Sequence, residues 1–357
     1  MAGTLRKNIE RWMREDKIGL VPHNLLFLLS LLYGLAIKLR LFLFKRGFLS
    51  TKELPCKVIS IGNITVGGTG KTPMAIHVAG LIRKRNNRVV ILSRGYKRST
   101  RDISVVSDGQ KILLSAQEAG DEPYLMAKRL KDVPVIVGSD RYLSGMFAVE
   151  NFNPDVIILD DGYQHIKLKR DLNILLVDAE EGFGNGYLLP RGVLREPLEG
   201  IERASIVMVK GGHLTSDERS KIQSVPVIPF SYSPSVITDI KTNASKDAGY
   251  LKGKKAIAIA GIANPGSFFE TLKSLGVKLV KAFTYPDHHL YTNEDIDSIK
   301  KGFLEAELII TTEKDGVKLK GRVQTLPLYV LSIDVEVKGK EALENAVNPL
   351  LKGAGDA

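Results

Sequence analysis

The sequence predicts an α/β protein with a doubly wound, mostly parallel sheet, a second and smaller α/β domain, and an apolar N-terminal helix. Short runs rich in Val and Ile recur along the chain without polar alternation, which is typical of strands buried on both faces of a parallel sheet. Stretches suited to helices lie between several of these runs, and such alternation predicts a doubly wound sheet. A Gly-rich segment ending in Lys-Thr follows the first run.

The N-terminal helix is predicted from an apolar stretch with few charges. Residues 25–37 carry no charge, but this stretch is shorter than the ~20 residues that a transmembrane helix needs. A narrow polar stripe at helical spacing would run along the helix, formed by His23, Ser30, Gly34, Lys38 and Lys45. Such a helix can lie in the interface of an anionic membrane leaflet. The sequence leaves open a core or dimer-interface helix and a single tilted span, whereas no small-residue cleavage site indicates a signal peptide.

The positive charge of the chain is concentrated near its N-terminus. The net charge is +11 over 357 residues, and residues 1–52 hold ten Lys or Arg residues against three acidic ones. Because this charge flanks the apolar helix, it indicates an anionic membrane rather than nucleic acid. Cys56 is the single cysteine of the sequence, so neither an internal disulfide nor a Cys-based metal cluster is expected, which fits a reducing, cytoplasmic setting.

The alternation of strands and helices divides the chain into two α/β domains. Strands are predicted at residues 57–61, 89–93, 133–137, 156–159, 174–177, 206–209 and 225–229, with helices at 72–85, 123–130 and 140–151. Residues 231–253 are polar and turn-rich, which predicts a linker or a surface hairpin. The alternation then resumes, with strands at 256–260, 278–283 and 308–311 and helices at 266–275 and 293–303. The predicted division is a membrane-associating segment (1–50), a core domain (51–230), the linker or hairpin (231–253), a smaller α/β domain (254–340) and a C-terminal helix or tail (341–357).

A phosphate-binding loop is predicted between the first strand and the next helix. The residues expected to contact the nucleotide are Thr65, Val66, Gly67, Gly68, Thr69, Gly70, Lys71 and Thr72. In this context, backbone N–H groups and the helix N-terminus bind phosphate, so the fold is predicted to be P-loop NTPase-like. Lys71 would reach the β- and γ-phosphates, and the Thr72 hydroxyl would bind magnesium. Thr65 stands where the strict pattern has Gly, so a Gly-rich turn before an unrelated helix stays the alternative.

Acidic and histidine residues at three points of the chain suit the chemistry of a nucleotide site. Asp160 and Asp161 end an apolar strand, where P-loop enzymes hold magnesium, the alternative being a solvated turn. Asp121 precedes a helix and is either an ordinary helix cap or a base that accepts the proton of an attacking hydroxyl. His288 and His289 are either exposed loop residues or partners that orient such a base. Zinc is not predicted, because H-x-x-x-H spacing is missing.

Further polar residues are candidates for contacts to phosphate or substrate. Arginine suits phosphate recognition, since its planar guanidinium can bind two oxygens at once. The candidates are Arg94 and Tyr96 after one strand, Gln164 and His165 after the paired carboxylates, Arg191, Arg195 and Glu196 in one loop, and Lys314 after a strand of the smaller domain.

Together, these motifs resemble the tetraacyldisaccharide 4′-kinase family, the lipid A 4′-kinases of Gram-negative bacteria. The resemblance covers nearly the whole chain, and the motifs follow the order of the family. They are GNITVGGTGKTP at 62–73, SRGY at 93–96, GDEP at 120–123, DDGYQH at 160–165, RGVLREP at 191–197, FTYPDHH at 283–289 and TTEKD at 311–315. Thr65 matches the loop of that family, so its departure from the strict pattern does not count against a phosphate loop.

The resemblance implies a kinase that uses ATP and magnesium to phosphorylate the 4′-hydroxyl of a tetraacyl glucosamine disaccharide 1-phosphate, forming lipid IVA. Lys71 and Thr72 would bind ATP and magnesium, and the paired carboxylates would support the metal. Asp121 would act as base together with His288, because the Asp-His step is the firmer part of that motif, and His289 is the alternative. The remaining candidates would line the ATP or disaccharide site, and the smaller domain would close over the nucleotide.

The resemblance also implies where the protein acts and with what. The expected partners are the lipid A disaccharide precursor and the anionic inner-membrane leaflet, with no nucleic acid, and the protein is expected to be a monomer on the cytoplasmic face of the bacterial inner membrane. One rival is a P-loop ATPase or GTPase that regulates a partner or delivers metal, which would need switch loops and often Cys ligands. The other is a membrane scaffold with a vestigial loop, against which the intact Lys71, Thr72, Asp160 and Asp161 argue.

Overall fold

The computed structural model describes residues 13, 20–96, 98, 102–222, 225–323 and 325–353. Its strands are β1 (Lys57–Gly62), β2 (Val89–Ser93), β3 (Ser104–Ser107), β4 (Val135–Val137), β5 (Val156–Asp160), β6 (Leu172–Asp178), β7 (Ile206–Lys210), β8 (Val227–Asp239), β9 (Ser245–Asp247), β10 (Lys255–Ala260), β11 (Lys278–Thr284), β12 (Leu308–Thr312) and β13 (Leu328–Val337). Its α-helices are α1 (Leu20–Lys45), α2 (Lys71–Lys84), α3 (Ala116–Ala119), α4 (Asp121–Arg129), α5 (Arg141–Phe152), α6 (Ser216–Ser220), α7 (Pro265–Ser274), α8 (Asn293–Gly302), α9 (Glu313–Leu319) and α10 (Lys340–Val347).

The chain forms two compact units, and each is built from separated segments. The first unit comprises residues 1–94, 138–231 and 337–357, and the second comprises residues 95–137 and 232–336. The sequence had suggested a continuous segment for each domain, whereas residues 95–137 group with the later segment. There, helix α4 packs against helix α9. The alternation of strands and helices in the sequence does not indicate which unit a segment such as residues 95–137 joins.

The first unit is built on a parallel sheet with the strand order β8-β7-β6-β1-β5-β2. Strands β2 and β5 are buried along their whole length, which explains why their sequences show no polar alternation. Ile61 of β1 pairs with Asp160 of β5, so the carboxyl ends of these two neighbouring strands meet at one edge of the sheet. Ligands of open parallel sheets bind at this edge. The predicted α/β fold with a mostly parallel sheet is confirmed.

The second unit contains the parallel strands β11-β10-β12-β13, together with two antiparallel pairs. Strand β3 pairs antiparallel with β4, and the end of β8 pairs antiparallel with β9. The turn-rich stretch before residue 253 therefore contains a hairpin. Strand β12 is buried throughout, and helix α9 follows it directly, with the Thr312 side chain accepting a hydrogen bond from the Asp315 backbone. This strand-to-helix junction positions the polar residues of α9.

Helix α1 packs on the first unit through its polar residues. Ser30 Oγ donates to the Leu188 carbonyl (2.8 Å), and the Tyr33 hydroxyl donates to the Arg195 carbonyl (2.6 Å). A Cβ atom on Gly34 would lie 2.8 Å from a Leu188 methyl, so glycine permits this close approach. The polar stripe predicted from the sequence therefore faces protein over Ser30 and Gly34.

The apolar side of α1 is left exposed. Eight large apolar side chains are 43–66% exposed: Leu25, Leu28, Leu29, Leu31, Leu32, Leu35, Leu39 and Phe42. We call this set the exposed leucine face. The segment His23–Lys45 contains an 18-residue window with a mean hydropathy of 2.0 and is, by length and composition, long and apolar enough to cross a membrane. A surface helix of a soluble protein usually buries its apolar face and exposes its polar face, whereas α1 does the reverse.

Candidate active site

The first half of the phosphate loop is held by a neighbouring segment of the first unit. Thr65 forms an antiparallel bridge with Leu194, and the Val66 backbone N–H donates to the Val193 carbonyl (2.8 Å). Thr65 is buried, at 7% exposure. A β-branched residue suits such an extended, paired position, which gives a physical reason for Thr where the strict pattern has Gly.

The second half of the loop leads into helix α2. Asn63 Nδ2 donates to Thr69 Oγ1 (3.0 Å), a buried bond that closes the loop across its base. Gly67 and Gly70 have φ angles of +130° and +88°, which strongly favour glycine. Gly70 caps α2, so Lys71 is the first residue of the helix. The free N–H groups and the positive end of the helix dipole at this terminus favour an anion.

Lys71 lies among charged groups from two other motifs. Its Nζ is 3.8 Å from Asp161 Oδ1, and Arg195 Nη1 donates to Asp161 Oδ1 and Oδ2 at 3.0 and 3.1 Å. Burial raises the pKa of Asp161, but the positive charges of Lys71 and Arg195 outweigh burial, so this pKa lies below its ordinary value. Asp161 is therefore a stable carboxylate that neutralises both cations.

The oxygen atoms near the loop suit magnesium. Asp160 ends β5 and accepts a hydrogen bond from Ser93 Oγ (2.9 Å), and Thr72 lies in the first turn of α2. Hydroxyl and carboxylate oxygens are the donors that magnesium prefers, and this ion usually keeps waters and takes substrate phosphates as further ligands. Within the described part of the chain, no group of three or more His, Cys, Asp or Glu residues forms a metal cage. The residues present therefore fit a metal that is shared with a nucleotide.

Gln164 and Glu196 form hydrogen bonds that hold the backbone just before the phosphate loop. Gln164 Nε2 donates to the Asn63 carbonyl (2.7 Å) and to Glu196 Oε1 (2.8 Å). Glu196 is buried, and its other oxygen accepts from Arg203 Nη2 (2.5 Å). These two predicted site residues hold the backbone at the end of β1.

Three predicted site residues of the first unit lie apart from these contacts. Arg191 is 1% exposed, and its Nε donates to His23 Nδ1 of helix α1 (3.2 Å). Burial, followed by the nearby charge of Arg141, lowers the pKa of His165 to about 4, so this ring is neutral at physiological pH. Arg94 is exposed just after β2. Their predicted roles in binding ATP or substrate stay predictions.

The second unit brings Asp121 and His288 into contact. His288 Nδ1 lies 3.1 Å from Asp121 Oδ2, although 167 positions separate the two residues. His288 Nε2 lies 3.2 Å from Lys314 Nζ. A lysine ammonium has donors only, so Nε2 must accept, which places the ring proton on Nδ1 and directs it at Asp121. His288 has a φ angle of +61°, a conformation that is uncommon for a residue other than glycine.

Lys314 is itself fixed by two carboxylates. Its Nζ lies 2.9 Å from Asp287 Oδ1 and 3.3 Å from Glu122 Oε1. Burial lowers the pKa of Lys314, but the charges of Glu122 and Asp287 outweigh burial, so this pKa lies above its ordinary value. Lys314 therefore stays charged and fixes the tautomer of His288.

Lys318 contacts the predicted base and was missed by the sequence analysis. Its Nζ lies 3.1 Å from Asp121 Oδ2 and is nearly buried, at 8% side-chain exposure. Burial raises the pKa of Asp121, but the hydrogen bond with His288 and the charge of Lys318 outweigh burial, so this pKa lies below its ordinary value. The spacing of four from Lys314 on helix α9 is the signal that could have revealed Lys318.

The structure distinguishes between the two adjacent histidines. His289 Nε2 lies 2.8 Å from Asp295 Oδ2, and its ring stacks on Tyr285 with centroids 4.7 Å apart. His289 therefore stabilises its own loop, while His288 contacts Asp121. Tyr96 is 61% exposed, and its ring lies 5.5 Å from the His288 ring, so this predicted residue does lie beside the pair.

Comparison with known proteins identifies close relatives of the chain. The family model described as Tetraacyldisaccharide-1-P 4′-kinase matches residues 22–352. A tetraacyldisaccharide 4′-kinase from Syntrophus aciditrophicus is 42% identical over 347 residues, which cover 92% of this chain and 93% of the relative. The corresponding protein of Desulfatibacillum aliphaticivorans is 41% identical over 364 residues, covering 98% and 99%. A crystal structure of the "apo" form of LpxK from Aquifex aeolicus in complex with ATP has a TM-score of 0.76 and 36% identity, covering 92% of this chain and 99% of that chain.

Proposed function

Since the chain belongs to the tetraacyldisaccharide-1-phosphate 4′-kinase family, we propose that its phosphate loop holds the donor ATP and that Asp121 and His288 activate the acceptor hydroxyl. The chain is an ATP-dependent and magnesium-dependent kinase of lipid A synthesis. Its acceptor is the 4′-hydroxyl of a tetraacyl disaccharide 1-phosphate. The roles of the individual residues are the part that we propose.

The donor site is assigned to the first unit. The backbone N–H groups of Gly67–Thr72 would bind the β-phosphate, and Lys71 Nζ would leave Asp161 to contact the β- and γ-phosphates. Thr72, Asp160 and Asp161 are the oxygen donors that would hold magnesium, which neutralises phosphate charge when it is bound. Arg195 would keep Asp161 in place once Lys71 has moved, because it binds both carboxylate oxygens.

The base is assigned to Asp121 of the second unit. Its lowered pKa keeps the carboxylate ionised at neutral pH, so it can accept the proton of the 4′-hydroxyl as that oxygen attacks the γ-phosphate. The Nδ1–H group of His288 holds the carboxylate in one orientation, and Lys314 holds His288 in the tautomer that does so. Of the two carboxylate oxygens, Oδ2 contacts His288 and Lys318, which assigns proton acceptance to Oδ1.

The membrane contact is assigned to α1. Its exposed leucine face would sit among acyl chains, while its polar residues stay bonded to the first unit. This arrangement supports a helix that lies in the membrane interface, and we assign it to the cytoplasmic face as part of the proposal.

The contact of Lys71 with Asp161 at the start of α2 is the observation that carries the kinase assignment. The test is transfer of label from [γ-³²P]ATP to a tetraacyl disaccharide 1-phosphate in detergent micelles, read as a new 4′-phosphate. Lys71→Ala should abolish transfer, because the γ-phosphate charge is left unneutralised. Lys84→Ala, in the last turn of the same helix, is the matched control and should retain activity. Near-normal turnover of Lys71→Ala would refute the assignment.

A further inference from the structure

A cavity of about 800 Å³ lies between the last two turns of α1 and the body of the first unit. Leu41 and Phe44 of the helix form an apolar wall with Ile166 and Leu168 of the core. The volume falls in the range of about 300–1,000 Å³ that is typical of small-molecule sites. None of the predicted ATP-binding or metal-binding residues lines this cavity.

The cavity carries a surplus of positive charge. Among the described residues, Lys38, Lys45 and Arg170 line it without forming an ion pair. Arg170 is half-buried, and Nη1 donates to the Tyr163 carbonyl (3.3 Å). Burial and the neighbouring charge of Arg203 lower the pKa of Arg170 to about 10. Lys38 and Lys45 are exposed, so an anion between these groups would relieve the unfavourable burial of charge at Arg170.

The charge balance selects among anionic lipids. Lys169 and Arg203 also line the cavity, but they are ion-paired with Glu53 and Glu196. Glu199 and Glu202 line it too, so two carboxylates stand against the three unpaired cations. The surplus is one positive charge. A phosphodiester carries one negative charge, whereas a phosphate monoester carries about −1.5 to −2 at neutral pH. The cavity therefore matches a phosphodiester better than the monoester of the acceptor substrate.

The position of the cavity also suits a membrane lipid. Lys38 and Leu41 alternate along α1 with Leu39 and Phe42 of the exposed leucine face. Leu41 lies about 12 Å along the helix from Tyr33, at a rise of ~1.5 Å per residue, and Tyr33 is the residue that contacts the Arg195 backbone. A lipid in the leaflet beside α1 would therefore lie close to both the apolar wall and the cations.

We propose that this cavity binds an anionic glycerophospholipid of the membrane, with the phosphodiester at Lys38, Lys45 and Arg170 and an acyl chain against Leu41 and Phe44. The inference rests on the proposed interfacial position of α1 and deepens it, since it assigns a lipid-specific site beside a face that would otherwise bind any acyl chain. Occupancy would fix the last two turns of the helix to the core, on the same face as Ser30 but nearer the C-terminal end of α1.

The experiment measures lipid binding to the full-length protein in neutral maltoside micelles. Dioctanoyl-phosphatidylglycerol is titrated against dioctanoyl-phosphatidylcholine by native mass spectrometry. The protein should bind dioctanoyl-phosphatidylglycerol at least roughly tenfold more tightly than dioctanoyl-phosphatidylcholine, as expected for hydrogen bonds to charged groups. Lys45→Gln and Arg170→Gln should each remove most of that preference. Leu41→Trp should weaken the binding of both lipids, because the larger side chain would fill the space beside the apolar wall. Lys45→Gln and Leu41→Trp alter residues near the surface, so they test the site even if Arg170→Gln fails to fold.

Arg46→Gln is the matched control, because it removes a neighbouring charge that does not line the cavity. Equal binding of the two lipids by the unaltered protein would overturn the proposal. So would an equal loss in Arg46→Gln and Lys45→Gln, which would indicate general surface charge. If Lys45→Gln raised the KM for the acceptor in phospholipid-free micelles but left phosphatidylglycerol binding unchanged, the cavity would be assigned to the acceptor instead. Failure of the proposed kinase function would look different, since the unaltered protein would then transfer no phosphate.

Discussion

Removing two side chains from the exposed leucine face should weaken membrane binding by an amount that the structure sets. Leu32 and Leu35 lie near the middle of α1 and are 58% and 66% exposed. Neither is buried against protein, so the double substitution Leu32→Ala/Leu35→Ala leaves the core intact. The free energy of transfer from water into the leaflet is the quantity that changes.

The expected loss follows from the area that these side chains offer to lipid. Leu→Ala removes three carbons, each worth about 0.8 kcal/mol when fully buried, or ~2.4 kcal/mol per residue. Because roughly 60% of each side chain is free to meet lipid, the loss is about 1.5 kcal/mol per residue and about 3 kcal/mol for the pair. A change of that size corresponds to a roughly 100-fold lower partition constant.

The assay is sedimentation of the protein with vesicles over a range of lipid concentrations. The matched control is Leu290→Ala/Leu304→Ala, since these leucines of the second unit are also exposed, at 76% and 90%. This control should leave the partition constant unchanged. The reasoning is refuted if both double variants reduce partitioning equally, or if neither does while kinase activity on a micellar acceptor is retained.

Three further outcomes are expected. Lys318→Met should raise the pKa of Asp121, so in a pH–activity profile the loss of activity at low pH should begin at a higher pH, with little change in the maximal activity. Lys320→Met, which alters an exposed lysine, is the control. An acidic limb that does not shift in Lys318→Met, or that shifts equally in Lys320→Met, contradicts this role of Lys318. Asp121→Ala and His288→Ala should each lower kcat by ~10²–10⁴ with little change in ATP affinity, and the double variant should be little worse than either, so additive losses would argue against a functional pair. Tyr163→Phe should lower the free energy of unfolding by ~1–3 kcal/mol in denaturant titration, because the buried Gly200 carbonyl loses the hydroxyl that donates to it at 2.6 Å. An unchanged denaturation midpoint would show that this hydrogen bond makes no net contribution to stability.

Much of the first unit could be predicted from the sequence, because its signals are local. Buried parallel strands show as uninterrupted Val and Ile runs, and the loop before Lys71 needs glycines within a few positions of one another. Asp160 and Asp161 were predicted for the same reason, since the end of an apolar strand is visible in the sequence. The family motifs added roles to residues that were already found.

The assignment of the base depended on tertiary contact. From spacing alone, Asp121 was more compatible with a helix cap than with catalysis, and only the family resemblance favoured His288 over His289. Contact across 167 positions, between a residue at the start of α4 and a loop residue with positive φ, distinguishes them. Lys318 joins the same carboxylate from α9. No local pattern encodes such contacts, because they depend on how separated segments pack.

The sequence by itself determined that α1 is an apolar helix with a polar stripe and that a phosphate loop precedes α2. Only the tertiary structure decided which way the stripe faces. Ser30 and Tyr33 bond to backbone carbonyls of the first unit, so the leucines point away from protein. Helical periodicity fixes which residues share a face, but a face is directed at protein, water or lipid only by the partners that it meets, and those partners come from distant parts of the chain.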